Sequence, residues 1–143
     1  MSATAVFLMS CGSPEFRFPD EWMTTPARVS EAVADTHISK WWSSACPHQI
    51  HGGEVAVLVA TKSGKVMGAF EVEGDPVEDR SHPHDPSKWP WTVPLRPLVL
   101  LDGTLAPLLR DFGLTAPHKY KRVNEPVASK LLRAIHPELG RSR

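Results

Sequence analysis

The clearest periodic pattern in the chain lies between Glu54 and Glu73. Residues 55–60 are apolar at every position, and a strand with two apolar faces is expected at the centre of a sheet. The polar residues 62–65 follow as a turn in which Gly64 can adopt a positive φ. Residues 66–73 are then the second strand of a predicted hairpin.

Shorter apolar segments on either side of the hairpin predict two more strands and two short helices. The strands are residues 4–9 and 92–101, and the helices are residues 28–35 and 103–110. Pro94 and Pro97 favour a sheet edge or a barrel rim for the second strand. Strands around a few short helices, with closely spaced prolines, are typical of an α+β fold, which we predict to be a small mixed β-barrel with short flanking helices.

The C-terminal helix has the strongest local signature. Asn124 is predicted to be its N-cap, Pro126 falls in its first turn, and His136-Pro137 ends it. Its apolar residues recur at helical spacing and form one stripe, made of Val127, Leu131, Leu132 and Ile135.

Length and composition are those of an ordinary globular domain. The 143 residues, 41% hydrophobic and 22% charged, are expected to form a single domain over residues 1–143. No apolar run reaches the length of a membrane span and the N-terminus has no basic leader, so we expect neither a membrane partner nor a signal peptide. Two cysteines do not make a disulfide scaffold, and the reducing cytoplasm is the expected location.

The charge is unevenly distributed although the net charge is zero. Zero net charge counts against a protein that coats nucleic acid through phosphates alone, but the C-terminal third is basic and can form one basic face. The side chains predicted to contact a nucleic-acid backbone are Lys40, Lys88, Lys119, Lys121 and Arg122.

Tryptophan is the residue type that carries candidate chemistry. The chain has five tryptophans and one tyrosine, and four of the tryptophans lie in two clusters, residues 41–42 and 89–91. Indoles beside Lys, Ser and Pro at the two ends of a predicted sheet suit a flat ligand with two π-faces and polar edges, such as a nucleobase. Trp22 and Trp41 are expected instead to be core residues.

The order of these features resembles a known family. A strand ending in Ser10, a Trp-Ser-Ser unit at residues 42–44, the hairpin, a Lys88-Trp89 unit and the helix cap at residues 124–127 follow one another as in YTH domains. The resemblance extends to the bacterial relatives of those domains, the EVE domains, within the PUA-like superfold. It covers roughly residues 4–135.

The resemblance implies an aromatic cage for a modified base. Trp42 matches the first cage wall of YTH domains and Trp89 matches the second. YTH domains read N6-methyladenine in RNA, and several EVE-like domains read modified cytosines in DNA. The third YTH cage tryptophan has no counterpart in residues 79–87, and Trp91, Trp41 or Trp22 are the candidates to replace it.

We therefore predict a pocket that accepts an extruded base. Its members are Trp42, Trp89, Trp91, Ser10 and Ser43, in which Ser10, Ser43 or backbone groups would read the polar edge of the base. The expected ligand is double-stranded DNA with 5-methylcytosine, bound by a monomer without a cofactor. RNA with N6-methyladenine is the alternative. A different class of alternative is a module that holds a small molecule or a methylated amine.

Metal binding and catalysis are two further hypotheses, and the residue spacing supports neither. Cys46, His48 and His51 could meet His82 and His84 around zinc, but the chain has no paired Cys-x-x-Cys, and no metal is expected. The spacing of Asp75, Glu78, Asp79 and Asp85 matches no nuclease pattern, and Ser43 with His48 has no nucleophile-elbow context. We predict no catalytic residues and no enzymatic activity.

Overall fold

A computed structural model describes residues 5–11, 40–60, 64–81, 85–100 and 107–140. The strands in these ranges are β1 Val6–Cys11, β2 Lys40–Ser43, β3 Val55–Ala60, β4 Val66–Val72, β5 Val77–Glu78, β6 Trp91–Leu100 and β7 Tyr120–Val123. The helix α1 is Val127–Ile135, and two short 3-10 helices are Leu109–Phe112 and Pro137–Gly140.

The strands form one mixed sheet in the order β2-β6-β4-β3-β1-β7, and β5 pairs with β6 beside it. The β1–β3 pair is parallel, and the other pairs are antiparallel. The hairpin of β3 and β4 is confirmed, and Gly64 in its turn has the expected positive φ of 72°. β3 lies between β4 and β1, which is why its residues are apolar on both faces.

The sheet is curled so that its first and last strands meet. Trp41 of β2 packs edge-on against Tyr120 of β7, with ring centroids 6.1 Å apart. The Trp41 indole N–H also donates a hydrogen bond of 3.0 Å to the carbonyl oxygen of Ser10 at the end of β1. These contacts close the strand order into a half-barrel, and the predicted small α+β barrel is confirmed.

The curl divides the core into an inner and an outer cluster. The inner cluster lies within the half-barrel and contains Phe7, Met9, Trp41, Ile50, Ala56, Leu58, Met67, Phe70, Val72, Val93 and Leu95. The outer cluster packs the other face of the sheet against α1 and includes Val6, Leu8, Val55, Val57, Val59, Val123, Leu131, Leu132 and Ile135. Alternate residues of β3 therefore serve different clusters, as the period of a strand requires.

The predicted cap of α1 is wrong, although its apolar stripe is confirmed. The N-cap is Pro126, which makes no side-chain capping hydrogen bond. The Glu125 carboxylate accepts the Ser129 N–H at 2.7 Å and the Ser129 hydroxyl at 2.5 Å, and these bonds lower the pKa of Glu125. Asn124 contributes only its carbonyl oxygen, which accepts the Ala128 N–H at 3.1 Å. A carboxylate outside the first turn thus satisfies a helix donor, in place of the asparagine side chain.

Several predictions fall outside the described residues, among them the helix at 28–35, Trp22, His82 and His84. The predicted helix at 103–110 overlaps them in part, and the 3-10 helix Leu109–Phe112 lies at its end. In the described ranges no helix has the length and apolar character needed to cross a bilayer.

Candidate functional site

Strand pairing decides which tryptophan side chains share a face. In the β2–β6 pair, Trp42 lies opposite Thr92 and Ser43 lies opposite Trp91. Residues directly opposite each other in an antiparallel pair point to the same side, and successive residues alternate. Trp41 is 7% exposed and belongs to the inner cluster, as predicted for a core residue. Trp42 is therefore on the outer face, where it is half-buried.

The same register separates Trp42 from two of its predicted partners. Ser43 and Trp91 share the face of Trp41, opposite to that of Trp42. Ser43 is 2% exposed, and its hydroxyl donates to the Ala45 carbonyl oxygen at 2.6 Å and accepts the Ala45 N–H at 3.3 Å. The structure thus places Trp42 on one side of the sheet and Ser43 with Trp91 on the other.

Ser10 lies at the closure of the half-barrel. Its hydroxyl donates to the Pro117 carbonyl oxygen, and its N–H donates to the Lys119 carbonyl oxygen at 3.0 Å. With its own carbonyl oxygen bound to Trp41, Ser10 is used by the contacts that join β1, β2 and β7. By strand period Ser10 is on the outer face with Val6 and Leu8, but its hydroxyl is engaged by the Pro117 carbonyl oxygen.

A tight turn positions Trp89. The Asp85 carbonyl oxygen accepts the N–H groups of Lys88 at 3.2 Å and Trp89 at 3.1 Å. The Asp85 carboxylate accepts the Ser87 hydroxyl at 2.9 Å and the Lys88 N–H at 3.1 Å, and these bonds lower the pKa of Asp85 in that order of importance. Trp89 follows this turn half-buried, so its ring, like that of Trp42, is not sealed in the interior.

Asp79 connects the two tryptophan-bearing segments. Its N–H donates to the Pro90 carbonyl oxygen at 2.7 Å, next to Trp89. Its carboxylate Oδ2 accepts the Lys40 Nζ at 2.9 Å, two residues before Trp42. The sequence singles out Asp79 only as one of four carboxylates whose spacing matches no nuclease pattern. A contact across 39 positions leaves no signal in a single sequence.

The two half-buried tryptophans, Trp42 and Trp89, each lie beneath a lysine. The Lys40 Nζ is 5.7 Å from the centroid of Trp42, and the Lys88 Nζ is 5.3 Å from the centroid of Trp89. Both distances are within the range of a cation–π contact. Val77, which is 52% exposed, pairs with Thr92 and so lies on the face of Trp42. We call Lys40, Trp42, Val77, Asp79, Lys88 and Trp89 the aromatic surface.

Of the basic run at residues 119–122, Lys121 and Arg122 lie on the edge strand β7, and Lys119 directly precedes it. Lys119, Lys121 and Arg122 are exposed, and none makes an ion pair with another described residue. Lys121 pairs with Leu8 of the outer cluster, whereas Arg122 pairs with Phe7 of the inner cluster. The strand period therefore directs these two side chains to opposite faces. Neither β7 nor β5 was predicted as a strand, because both are short and polar.

Within the part of the chain that the structure describes, no group of three or more His, Cys, Asp or Glu side chains could hold a metal ion. Cys46 is half-buried, and the His48 Nδ1 lies 3.3 Å from the Cys46 carbonyl oxygen. His51 lies apart from this pair, with its Nδ1 3.5 Å from the Asp75 carboxylate.

No protein-family model matches the chain, and no curated protein matches it either. Solved structures do match it. Human THYN1 in complex with DNA containing 5-methylcytosine superimposes with a TM-score of 0.58 and 10% identity, covering 93% of this chain and 98% of THYN1. A mutant ASCH protein from Zymomonas mobilis gives a TM-score of 0.57 and 10% identity, covering 90% of this chain and 96% of that one.

A third match is the YTH domain of the Zygosaccharomyces rouxii MRB1 protein in complex with N6-methyladenosine RNA. It gives a TM-score of 0.53 and 14% identity, covering 92% of this chain and 86% of that one. At these identities the likeness concerns the fold. The chain has a PUA-like fold, as the resemblance predicted, and the half-barrel with its C-terminal helix is that fold.

Proposed function

We propose that this protein binds nucleic acid that carries a modified base, and that Trp42 is the platform on which the base stacks. The observation that carries the proposal is the contrast within β2, where Trp41 is buried and the adjacent Trp42 is held on the outer face. Trp89 is the second wall, because Asp79 ties its segment to β2. Two proteins of the same fold, bound to methylated DNA and to methylated RNA, support the choice of ligand.

The interaction energies allow a stacked base to displace a lysine ammonium group from an indole ring. A cation–π contact at an exposed site contributes about 0.5–1 kcal/mol. Stacking of a base on an aromatic side chain contributes about 1–3 kcal/mol. A base can therefore displace Lys40 or Lys88 from its indole, and the released ammonium groups can turn to the neighbouring phosphates. Lys119, Lys121 and Arg122 are candidates for further phosphate contacts.

The preferred ligand in this proposal is double-stranded DNA with 5-methylcytosine, and RNA with N6-methyladenine comes second. Extruding a base costs a few kcal/mol, which the phosphate contacts offset. A buried methyl group adds about 0.8 kcal/mol, or roughly a fourfold preference. Strong discrimination therefore requires a pocket that fits poorly when the methyl group is missing.

Fluorescence anisotropy at fixed salt tests the proposal. The panel contains duplex DNA with 5-methylcytosine, with 5-hydroxymethylcytosine and without modification, and RNA with and without N6-methyladenine. We expect a preference for one modification that Trp42→Ala and Trp89→Ala each remove. Trp91→Ala, a change on the other face of the sheet, is the matched control. Equal affinity for every oligonucleotide would reduce the protein to a general nucleic-acid binder, and no binding would refute the proposal.

One observation favours a second candidate function. The indoles of Trp42 and Trp89 each already hold an ammonium group within 6 Å of the ring centroid, and an aromatic cage can hold a methylated amine in the same way. Titration of a trimethyllysine peptide, followed by tryptophan fluorescence, tests this candidate. Quenching by the peptide but not by the unmethylated peptide would support it.

We also propose that the protein acts as a monomer and without enzymatic activity. Incubation of the protein with Mg²⁺ and methylated plasmid tests the second point, and cleavage would contradict it. Sedimentation at several concentrations tests the first.

A further inference from the structure

The Asp79 carboxylate has one oxygen that is fixed and one that a ligand can reach. Oδ1 accepts the N–H of Ser81 at 3.0 Å and the hydroxyl of Ser81. Oδ2 accepts the Lys40 Nζ at 2.9 Å. The Asp79 side chain is 21% exposed and the Lys40 side chain is 45% exposed. The loop therefore holds the carboxylate in place, whereas its partner is a long and mobile side chain.

The Lys40 ammonium occupies the position where a stacked ring would place its edge. It is 5.7 Å from the Trp42 centroid and 2.9 Å from Asp79 Oδ2. A ring stacked on this face of Trp42 has to displace the ammonium. Oδ2 then loses its charged donor, while Oδ1 keeps its bonds to Ser81, and a half-buried acceptor atom left without a donor is costly. A ligand N–H in the former ammonium position restores the hydrogen bond.

We infer that Asp79 determines which base the aromatic surface accepts, by receiving a hydrogen bond from an exocyclic amino group. This inference rests on the proposed function and adds a selection rule to it. Cytosine and adenine carry such an amino group, whereas thymine and uracil present a carbonyl oxygen at the same edge. An ionised carboxylate accepts hydrogen bonds and cannot donate one, so it repels that carbonyl oxygen.

Two features keep Asp79 suited to this task. The Ser81 hydroxyl, followed by Lys40, lowers the pKa of Asp79, so the carboxylate is ionised at neutral pH. Its own N–H is bonded to the Pro90 carbonyl oxygen, which fixes the backbone of Asp79 against the segment of Trp89. The acceptor is thus linked both to the strand of Trp42 and to the segment of Trp89.

The test compares two single-stranded oligonucleotides that differ only at one base, 5-methylcytosine or thymine. Both bases have the same ring atoms and the same methyl group. They differ at C4, which carries an amino group in 5-methylcytosine and a carbonyl oxygen in thymine, and at N3, which carries a hydrogen only in thymine. Neither has to be extruded from a duplex. We expect the wild-type protein to prefer 5-methylcytosine by roughly 10- to 100-fold, the range for a hydrogen bond to a charged group.

Asp79→Asn is the diagnostic variant, because its amide can donate to the thymine carbonyl oxygen. We expect it to lose the preference or to reverse it, while its affinity for the thymine strand does not fall. Asp111→Asn removes an exposed carboxylate of the 3-10 helix Leu109–Phe112, outside the aromatic surface, and should keep the wild-type preference. Circular dichroism spectra and unfolding midpoints of both variants establish that they are folded.

The outcomes separate the two proposals. If Asp79→Asn binds modified DNA with the wild-type preference for 5-methylcytosine over thymine, the role of Asp79 is refuted and the proposed function stands. If the wild-type protein binds both strands equally and Trp42→Ala weakens both, the same conclusion follows. If the wild-type protein binds neither these strands nor the duplex and RNA panel, both proposals are refuted.

Discussion

Trp41 and Trp42 are adjacent residues of one strand, yet their environments differ completely. Trp41 faces the interior, where it contacts Tyr120 and donates its N–H to Ser10. Trp42 faces outward beneath the Lys40 ammonium. The difference teaches that strand pairing, and not residue type, separates a structural indole from a candidate ligand platform. The inner face of β2 closes the half-barrel, and the outer face carries the half-buried Trp42.

Trp41→Ala should have the largest of the predicted effects, a loss of folding stability. It removes a buried indole that joins the two ends of the sheet, and we expect the free energy of unfolding to fall by about 3–5 kcal/mol. Urea denaturation measures this change. Trp41→Phe keeps most of the packing but loses the hydrogen bond to Ser10, so its loss should be smaller. A loss below 1 kcal/mol for Trp41→Ala would show that closure does not depend on this residue.

Trp42→Ala should have the opposite profile. We expect its affinity for the modified oligonucleotide to fall by about 1–3 kcal/mol, while the free energy of unfolding changes by less than about 1 kcal/mol, because the site is at the surface. Anisotropy and urea denaturation of the same preparation measure the two quantities. Strong destabilisation by Trp42→Ala would remove the distinction between the two faces.

Lys121 and Arg122 extend the comparison to β7. Tyr120 shares the inner side with Trp41, so the strand period places Lys121 on the outer face with Trp42 and Arg122 on the other. We expect Lys121→Ala to weaken binding to all sequences and to reduce the salt slope of log K by about 1. Arg122→Ala should change that slope less. Equal salt slopes for the two variants would show that the phosphate contacts are not confined to the outer face of the sheet.

Acid should weaken the connection between the two tryptophan segments, and this is the smallest expected effect. The folded-state pKa of Asp79 lies below its ordinary value of 3.8, mainly because of Ser81 and then Lys40. A lowered pKa means that the folded state binds the proton less tightly than the unfolded state. The stabilisation is therefore complete above about pH 4 and is lost as the pH falls through the folded-state pKa.

Unfolding midpoints between pH 7 and pH 3 measure this effect. Asp85 and Glu125 also have lowered pKa values and contribute to the same decline. The unfolding midpoint of Asp79→Asn should therefore fall less with acid than that of the wild-type protein. If neither midpoint fell near pH 3, the stabilising role of these ionised carboxylates would be contradicted.

The sequence by itself determined the elements whose pattern is local. The β3–β4 hairpin, the positive φ of Gly64 and the apolar stripe of α1 follow from period 2, turn chemistry and period 3.6. The predicted core position of Trp41 is confirmed as well, although it rested on the residue type and on no periodic pattern. The resemblance to YTH and EVE domains added the PUA-like fold, which no single pattern specifies.

Only the tertiary structure decided what lies together at the candidate site. The Lys40–Asp79 contact, the separation of Trp42 from Trp91 and the opposite faces of Lys121 and Arg122 all depend on which strands pair and in which register. β5 and β7 exist because longer neighbours supply their hydrogen bonds, since segments of two or four residues do not form a strand alone. Register is a long-range property, and a shift of one residue would exchange the faces of Trp41 and Trp42.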